Sequence, residues 1–182
     1  VFAHELQQQP ADELTPRAIF AAVAAVHRRC RGGYAVVALI IGYGIVAFRD
    51  PHGIRPVCLG RRETRDGVEH MVASESVAMD ALGFRMVRDI LPGEAVIIER
   101  DGTLHNQVCD IRRSYTPCIF EYVYFARPDS ILDGQVIHKV RQNMGRQLAK
   151  EAPQDADIVI GVPDSATPAA IGYSLQSGIA FS

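Results

Sequence analysis

The sequence contains no apolar run approaching the roughly 20 residues needed to cross a bilayer. Its longest, Tyr34 to Ile41, gives way to Gly42 and Gly44 and reads as half of a buried hairpin, so no membrane partner is expected. Positive charge is not in excess either. Nineteen Lys and Arg face 21 Asp and Glu, a net charge of −2, and without a basic field nucleic acid is not an expected partner. Cysteine is sparse: Cys30, Cys58, Cys109 and Cys118 form no C-x-x-C pair and lack the density of a disulfide scaffold, which points to reduced thiols and a cytoplasmic location. His4, His27, His52, His70, His105 and His138 fall into no H-E-x-x-H or other metal-binding spacing. No repeat or low-complexity segment is found, and the first residues show no signal-like n-region and h-region. The chain begins at Val1 without methionine and stops at Ser182, just after an apolar stretch that reads as the start of a strand; both ends are expected to be cut.

What is present suits a packed core, with 48% hydrophobic and 22% charged residues. Thr15-Pro16 has the cap-and-proline look of a helix start, and Ile19, Phe20, Val23 and Val26 follow at helical spacing, predicting a helix to about Cys30 that Gly32-Gly33 closes. Tyr34–Ile41 and Gly44–Phe48 are β-rich runs joined by Gly42-Tyr43, a hairpin signal. A short strand is predicted at Val57–Leu59, and a short helix capped by Ser74 or Ser76 before Gly83. Glu94–Glu99 and Thr103–Val108, joined by Asp101-Gly102, form a second hairpin. The pattern changes near Arg112-Arg113-Ser114, the predicted domain boundary. Beyond it, helices are predicted at Cys118–Phe125, which suits a strand equally well, and at Val136–Glu151, with Val136, Val140, Met144 and Leu148 as the apolar stripe. A buried strand at Asp157–Val162, a polar turn and a helix from about Pro168 to Gln176 signal a parallel α/β sheet.

Two segments combine polar residues in ways that bear on chemistry. Val162-Pro163-Asp164-Ser165-Ala166-Thr167 runs from the carboxyl end of a strand to a helix start, where ligands bind in open α/β sheets and backbone N–H groups favour anions. There Asp164 can hold a hydrated cation while Ser165 and Thr167 donate to phosphate oxygens, as magnesium pyrophosphate requires; equally, these residues can simply cap the helix. Arg49-Asp-Pro-His-Gly-Ile-Arg-Pro56 is either a structural corner, with Asp50 accepting backbone N–H groups and Gly53 at φ > 0, or an anion site built from its arginines. The aromatics Phe120, Tyr122, Tyr124 and Phe125 pack a core or line an internal passage. Cys118 is a buried apolar filler, a metal ligand or a nucleophile.

Arg49–Pro56 together with Met71-Val-Ala-Ser-Glu-Ser76 resembles the class II, N-terminal-nucleophile glutamine amidotransferases, of which asparagine synthetases carry a looser version. Phe120-Glu-Tyr-Val-Tyr-Phe-Ala-Arg-Pro-Asp-Ser130 is similar to the amidophosphoribosyltransferase family in particular, over essentially the whole chain. The resemblance implies a mixed α/β and α+β architecture. Residues 1–112 would be the C-terminal part of a glutaminase domain with antiparallel sheets, and residues 113–182 the start of a type I phosphoribosyltransferase domain. It also implies the first committed reaction of purine synthesis. Glutamine is hydrolysed to ammonia, which displaces pyrophosphate from phosphoribosyl pyrophosphate to give phosphoribosylamine.

By the same resemblance Asp164, Ser165, Ala166 and Thr167 form the pyrophosphate loop, with Ser165 helping to bind Mg²⁺. Phe120 and Tyr124 line the ammonia passage. Cys118 occupies a position that ligates a [4Fe–4S] cluster in some members and is a plain cysteine in others. The family's nucleophile, an N-terminal Cys whose α-amino group serves as base, is not in this sequence. Nor are its glutamine-binding Arg, its Asn-Gly oxyanion hole or its Val-Asp-Asp-Ser phosphoribosyl strand. The chain alone is therefore expected to be inactive, and the parent to be a homo-oligomeric cytoplasmic enzyme using glutamine and phosphoribosyl pyrophosphate. An asparagine-synthetase-like alternative requires a Ser-Gly-Gly-x-Asp-Ser signature, which is absent. A non-catalytic binding module that keeps the fold is the remaining alternative.

Overall fold

In a computed structural model, which describes residues 1–9, 14–112 and 114–182, Thr15 opens the first long helix as predicted. Its Oγ1 accepts the Ala18 N–H at 3.3 Å, satisfying one of the donors a helix start leaves open. The backbone separates into two units, one of Val1–Ser74 and Ala78–Pro117, the other of Glu75–Val77 and Cys118–Ser182. Arg113, where the sequence analysis puts the boundary, lies outside the described residues.

The first unit contains α1 (Phe2–Gln7), α2 (Pro16–Arg29), β1 (Ala35–Ile40), β2 (Gly44–Arg49), β3 (Cys58–Thr64), β4 (Gly67–Ala73), most of α3 (Ser76–Ala81), β5 (Arg85–Asp89), β6 (Glu94–Glu99) and β7 (Leu104–Val108). Two antiparallel sheets result, ordered β1-β2-β6-β7 and β4-β3-β5. Alternate residues of β2 and β6 face two different cores, which is why these strands read as unbroken apolar runs. Val46, Phe48, Ala95 and Ile97 pack against Ile19, Phe20, Val23 and Val26 of α2. Ala47, Val96 and Ile98 pack with Val57, Leu59 and Ile90. Full burial of the valine, leucine, isoleucine and phenylalanine side chains among these stabilises by about 1.5–3 kcal/mol each. Glu94 ties the sheets together: it is buried on β6, and its carboxylate accepts an N–H from each terminal nitrogen of the Arg88 guanidinium at 2.7 Å.

Two expectations for this unit need correction. The Tyr34–Ile41 run is not buried: β1 is a sheet edge, and while one of its faces covers α2, Val37 and Leu39 on the other are 56% and 74% exposed. The short strand predicted at Val57–Leu59 is longer and forms a hairpin with β4, from Thr64↔Gly67 to Cys58↔Ala73. Charged residues at Arg61, Arg62 and Glu63 hid it, although Asp66-Gly67 is the same turn signal that located β6 and β7.

The Arg49–Pro56 segment is a structural corner built on buried charge. The Asp50 carboxylate, with no exposed surface, accepts the backbone N–H groups of Tyr34, His52, Ile54 and Arg55 at 2.9–3.3 Å. Arg49, 2% exposed, donates to the carbonyls of Arg55, Ile90 and Gly53 at 2.8–3.0 Å. A guanidinium committed to backbone carbonyls is not presented to an anion, which removes Arg49 from the anion-site alternative. Gly53 sits at φ 62°, and a Cβ there would lie 2.9 Å from Pro92 Cγ, so the turn needs glycine.

In the second unit the predicted Cys118–Phe125 helix begins at Ile119 and opens into a π-helical turn at Glu121–Phe125, closed by Ala126 N–H donating to the Glu121 carbonyl at 3.0 Å. A hairpin of β8 (Ile131–Leu132) and β9 (Gln135–Val136) follows, turning at Asp133 and Gly134 with φ 48° and 73°, the two-residue turn that demands positive φ. Next come α4 (Ile137–Glu151), β10 (Ile158–Val159), α5 (Thr167–Ser177) and β11 (Ala180–Phe181), with β10 and β11 parallel as expected. The buried stripe of α4 is displaced by one residue from the prediction. Ile137, Arg141, Gly145 and Ala149 face inward, and Val136 and Leu148 are exposed. Small residues decide this, because a Cβ on Gly145 would lie 1.9 Å from the Ala169 carbonyl oxygen and one on Gly172 2.0 Å from that of Gln142; α4 and α5 meet backbone to backbone. The predicted buried strand at Asp157–Val162 is also corrected. Only Ile158 and Val159 are extended, and Ile160 and Val162 are 72% and 79% exposed, because β10 pairs on one edge only among the described residues.

The corner should govern stability. Asp50→Asn keeps the shape but turns an amide N–H₂ toward backbone donors, and is expected to cost about 3–5 kcal/mol, as for one member of a buried charged network; the shift of the urea unfolding midpoint measures it. His27 carries a pH dependence. It is buried, with Nδ1 2.8 Å from the Tyr34 hydroxyl, and burial holds its pKa below the ordinary value against the opposing pull of Asp110 and Asp50. Below about pH 6.5 the unfolded chain therefore takes up this proton before the folded one does. The His27 contribution to stability is full above that pH and declines in acid. Unfolding midpoints measured from pH 7.5 down to 5.5 should fall more steeply for the parent than for His27→Gln.

Candidate functional site

β10 delivers the chain to a loop that returns over the strand end and enters α5. Gly161 permits the return, since a Cβ there would lie 3.0 Å from Thr167 Cα and 3.1 Å from its N. The Pro163–Asp164 peptide bond is cis, and the Thr167 N–H donates to the Asp164 carbonyl at 3.3 Å. Helix α5 takes Ala166 as its N-cap and Pro168 in its first turn, with no side-chain cap. Asp164, Ser165 and Thr167 thus lie at a helix start without capping it, contrary to the reading of these residues as caps. The loop lies at the positive end of the helix dipole, where backbone N–H groups favour anions. Carboxylate and hydroxyl oxygens beside those N–H groups are hard donors of the kind Mg²⁺ accepts while retaining water and phosphate oxygens. Asp164 and Ser165 could supply such oxygen donors to a hydrated Mg²⁺–phosphate group.

The aromatic turn has a different character. Phe120, Tyr124 and Phe125 are each more than half exposed, with Phe120–Phe125 centroids 6.1 Å apart and Tyr124–Phe125 5.7 Å apart. The wider π spiral brings residues five apart onto one side, so Phe120 pairs with Phe125, not with Tyr124 as α-helical spacing suggests. Tyr122 faces the other way, packing on Ala126, Leu132 and Ile137 and donating its hydroxyl to Asp133 at 2.9 Å. Sequence reasoning also missed a connection. Residues 75 and 76 of the Met71–Ser76 motif meet the Phe120–Ser130 motif, with the Glu75 carboxylate accepting the Arg127 N–H at 2.8 Å and the Ser130 hydroxyl at 2.5 Å. The Ser76 hydroxyl accepts the Ile131 N–H at 2.9 Å. Only pairwise contact could reveal this, since 52 to 55 residues separate the partners.

Cys118 is a half-buried free thiol, as are Cys30 and Cys109, and burial raises the Cys109 thiol pKa to about 12. A cluster of the [4Fe–4S] type draws on four thiolates. Cys118 is the sole cysteine of the second unit, and no group of three or more His, Cys, Asp or Glu side chains converges among the described residues. Cys118 could supply one of those four thiolates. No helix among the described residues is long and apolar enough to cross a membrane.

No protein-family model matches the chain. Its fold is similar to that of the glutamine phosphoribosylpyrophosphate amidotransferase from B. subtilis complexed with ADP and GMP, with a TM-score of 0.86 and 32% identity over 100% of this chain and 37% of that one. A structure of the allosteric regulatory enzyme of purine biosynthesis is similar at a TM-score of 0.85 and 32% identity. These matches define the class: a mixed α/β fold with antiparallel sheets, of the phosphoribosylpyrophosphate amidotransferase type.

The sequence comparisons agree. Amidophosphoribosyltransferase from Pseudomonas aeruginosa is 52% identical over 186 residues, 100% of this chain and 37% of the relative. That of Escherichia coli K12 is 47% identical and that of Saccharomyces cerevisiae 45%, each over 94% of this chain and 35% of the relative. The chain therefore belongs with the amidophosphoribosyltransferases, and spans 37% of the length of the first of these relatives.

Proposed function

We propose that the protein carrying this chain is a glutamine-dependent amidophosphoribosyltransferase. Ammonia released from glutamine attacks phosphoribosyl pyrophosphate, pyrophosphate leaves, and 5-phosphoribosylamine is formed. The observation that carries this reading is the uncapped start of α5 beside Asp164, Ser165 and Thr167, at the carboxyl end of a parallel strand, in a chain so similar to known amidophosphoribosyltransferases.

In this reading residues 1–112 belong to the glutaminase domain and 113–182 to the phosphoribosyltransferase domain. The N–H groups of the Asp164–Thr167 loop hold the pyrophosphate oxygens and neutralise charge that builds as pyrophosphate departs. Mg²⁺, when bound, supplies further charge neutralisation on the same group, and the Ser165 hydroxyl helps to hold it. Phe120 and Tyr124 supply an apolar wall that keeps neutral ammonia from water and protonation. The glutaminase nucleophile is not among the residues of this chain. The enzyme is placed in the cytoplasm as a homo-oligomer, without nucleic-acid or membrane partners.

Ser165→Ala in the full-length enzyme tests the loop. Losing a hydrogen bond to a charged group costs about 1–3 kcal/mol, so kcat/KM for phosphoribosyl pyrophosphate with ammonia should fall by about 5- to 150-fold while glutamine hydrolysis persists. Unchanged ammonia-dependent kinetics would remove the loop assignment. Tyr124→Ala tests the wall: both half-reactions should persist, and phosphoribosylamine formed per glutamine consumed should drop. A ratio that stays at the parent value, or collapse of ammonia-dependent synthesis alongside it, would make Tyr124 a packing residue.

A further inference from the structure

Phe120 and Tyr124 are 58% and 63% exposed, and each has the Phe125 ring as a neighbour. Their placement depends on the backbone of the turn that carries them. That backbone is held by two side chains of opposite charge. Arg141, 2% exposed, donates Nε to the Tyr122 carbonyl and a terminal N–H to the Ala126 carbonyl, both at 2.7 Å. The Glu75 carboxylate takes up the next donors along the chain, the Arg127 N–H at 2.8 Å and the hydroxyl of Ser130, itself without exposed surface, at 2.5 Å. Ser76 adds its hydroxyl to the Ile131 N–H at 2.9 Å. Burial disfavours the charge on Arg141, and the Glu75 carboxylate offsets part of that cost, so the two hold the turn as a pair.

We propose that Glu75 is a positioning residue for ammonia transfer: its carboxylate sets the exit of the π-helical turn, and so the position of Phe120 and Tyr124, without touching either reacting centre. The inference rests on the glutamine-dependent reading above. Hydrogen bonds to a charged carboxylate are shorter and roughly twice as strong as those between neutral groups. Misplacing a wall by an ångström suffices to open a leak for a molecule as small as ammonia.

The test uses the full-length enzyme and three measurements: glutamate released, phosphoribosylamine formed from glutamine, and phosphoribosylamine formed from ammonium chloride. Glu75→Ala should lower the product formed per glutamine hydrolysed by roughly threefold or more, since small misplacements are costly in oriented reactions. Ammonia-dependent kcat and the KM for phosphoribosyl pyrophosphate should stay within about twofold. Glu75→Gln keeps an acceptor oxygen of the same reach and should restore most of the ratio. A ratio unchanged in folded Glu75→Ala overturns the proposal. Equal decline of both syntheses also overturns it, because that is the mark of a merely structural residue. Should Glu75→Ala fail to fold, Ser130→Ala removes one donor to the same carboxylate and decides the matter by the same ratio. A parent enzyme that makes no phosphoribosylamine from ammonia gives a different signature and overturns the functional reading itself.

Discussion

Charge taken out of water must find its partners in the backbone, and the first unit is organised around that requirement at Arg49 and Asp50. Asp50 gathers N–H groups from Tyr34 and from His52 to Arg55, while Arg49 gathers carbonyls from the same corner and from Ile90. The start of β1, the end of β2 and the approach to β6 are thereby fixed to one another. The cost of desolvating both groups is large and is offset only if every bond is made. Such a network therefore discriminates sharply between the native arrangement and near alternatives. The two hydrophobic cores on either face of β2 and β6 supply the bulk of the stabilisation, but they are less particular about geometry.

The second unit uses the same device on a smaller scale. Arg141 holds the Tyr122 and Ala126 carbonyls of the π-helical turn and its closing residue, and Glu75 the Arg127 N–H just beyond it. This frees the aromatic residues of the turn from any duty in the core apart from Tyr122. The aromatic surface of Phe120, Tyr124 and Phe125 contrasts with the α4–α5 contact, which is packed through Gly145 and Gly172. The Asp164–Thr167 loop follows a related logic. Gly161 lets the backbone fold back on itself, the helix start stays uncapped, and polar side chains that sequence statistics would assign to capping are left for a ligand.

How much of this was legible in the sequence depended on how local the cause was. Thr15-Pro16, the Gly42-Tyr43 and Asp101-Gly102 turns, and the strand–loop–helix order around Val162–Thr167 announce themselves because their signals lie within a few residues, and each corresponds to an element of the structure. The motif at Arg49–Pro56 was recognisable as a corner for the same reason: Asp50 reaches backbone groups within five residues, with only Tyr34 farther away. The β3–β4 hairpin escaped notice because surface strands in this unit carry Arg and Glu, which mute the alternation on which strand recognition rests.

By itself, then, the sequence determined the types of the elements that carry strong local signals, such as α2, β1, β2, β6, β7 and α4, together with the antiparallel-then-parallel succession, the corner and the kinship with amidophosphoribosyltransferases, all of which are local patterns or direct similarity. The tertiary structure alone decided which face of α4 is buried, that β1 lies at an edge, that Phe120 pairs with Phe125, and that Glu75 holds the Arg127–Ser130 turn. Each of these depends on which backbone comes close to which across tens of residues. Hydrophobic periodicity is blind to that, because a glycine that admits a neighbouring helix, or a carboxylate that receives a distant N–H, leaves no periodic trace in the chain.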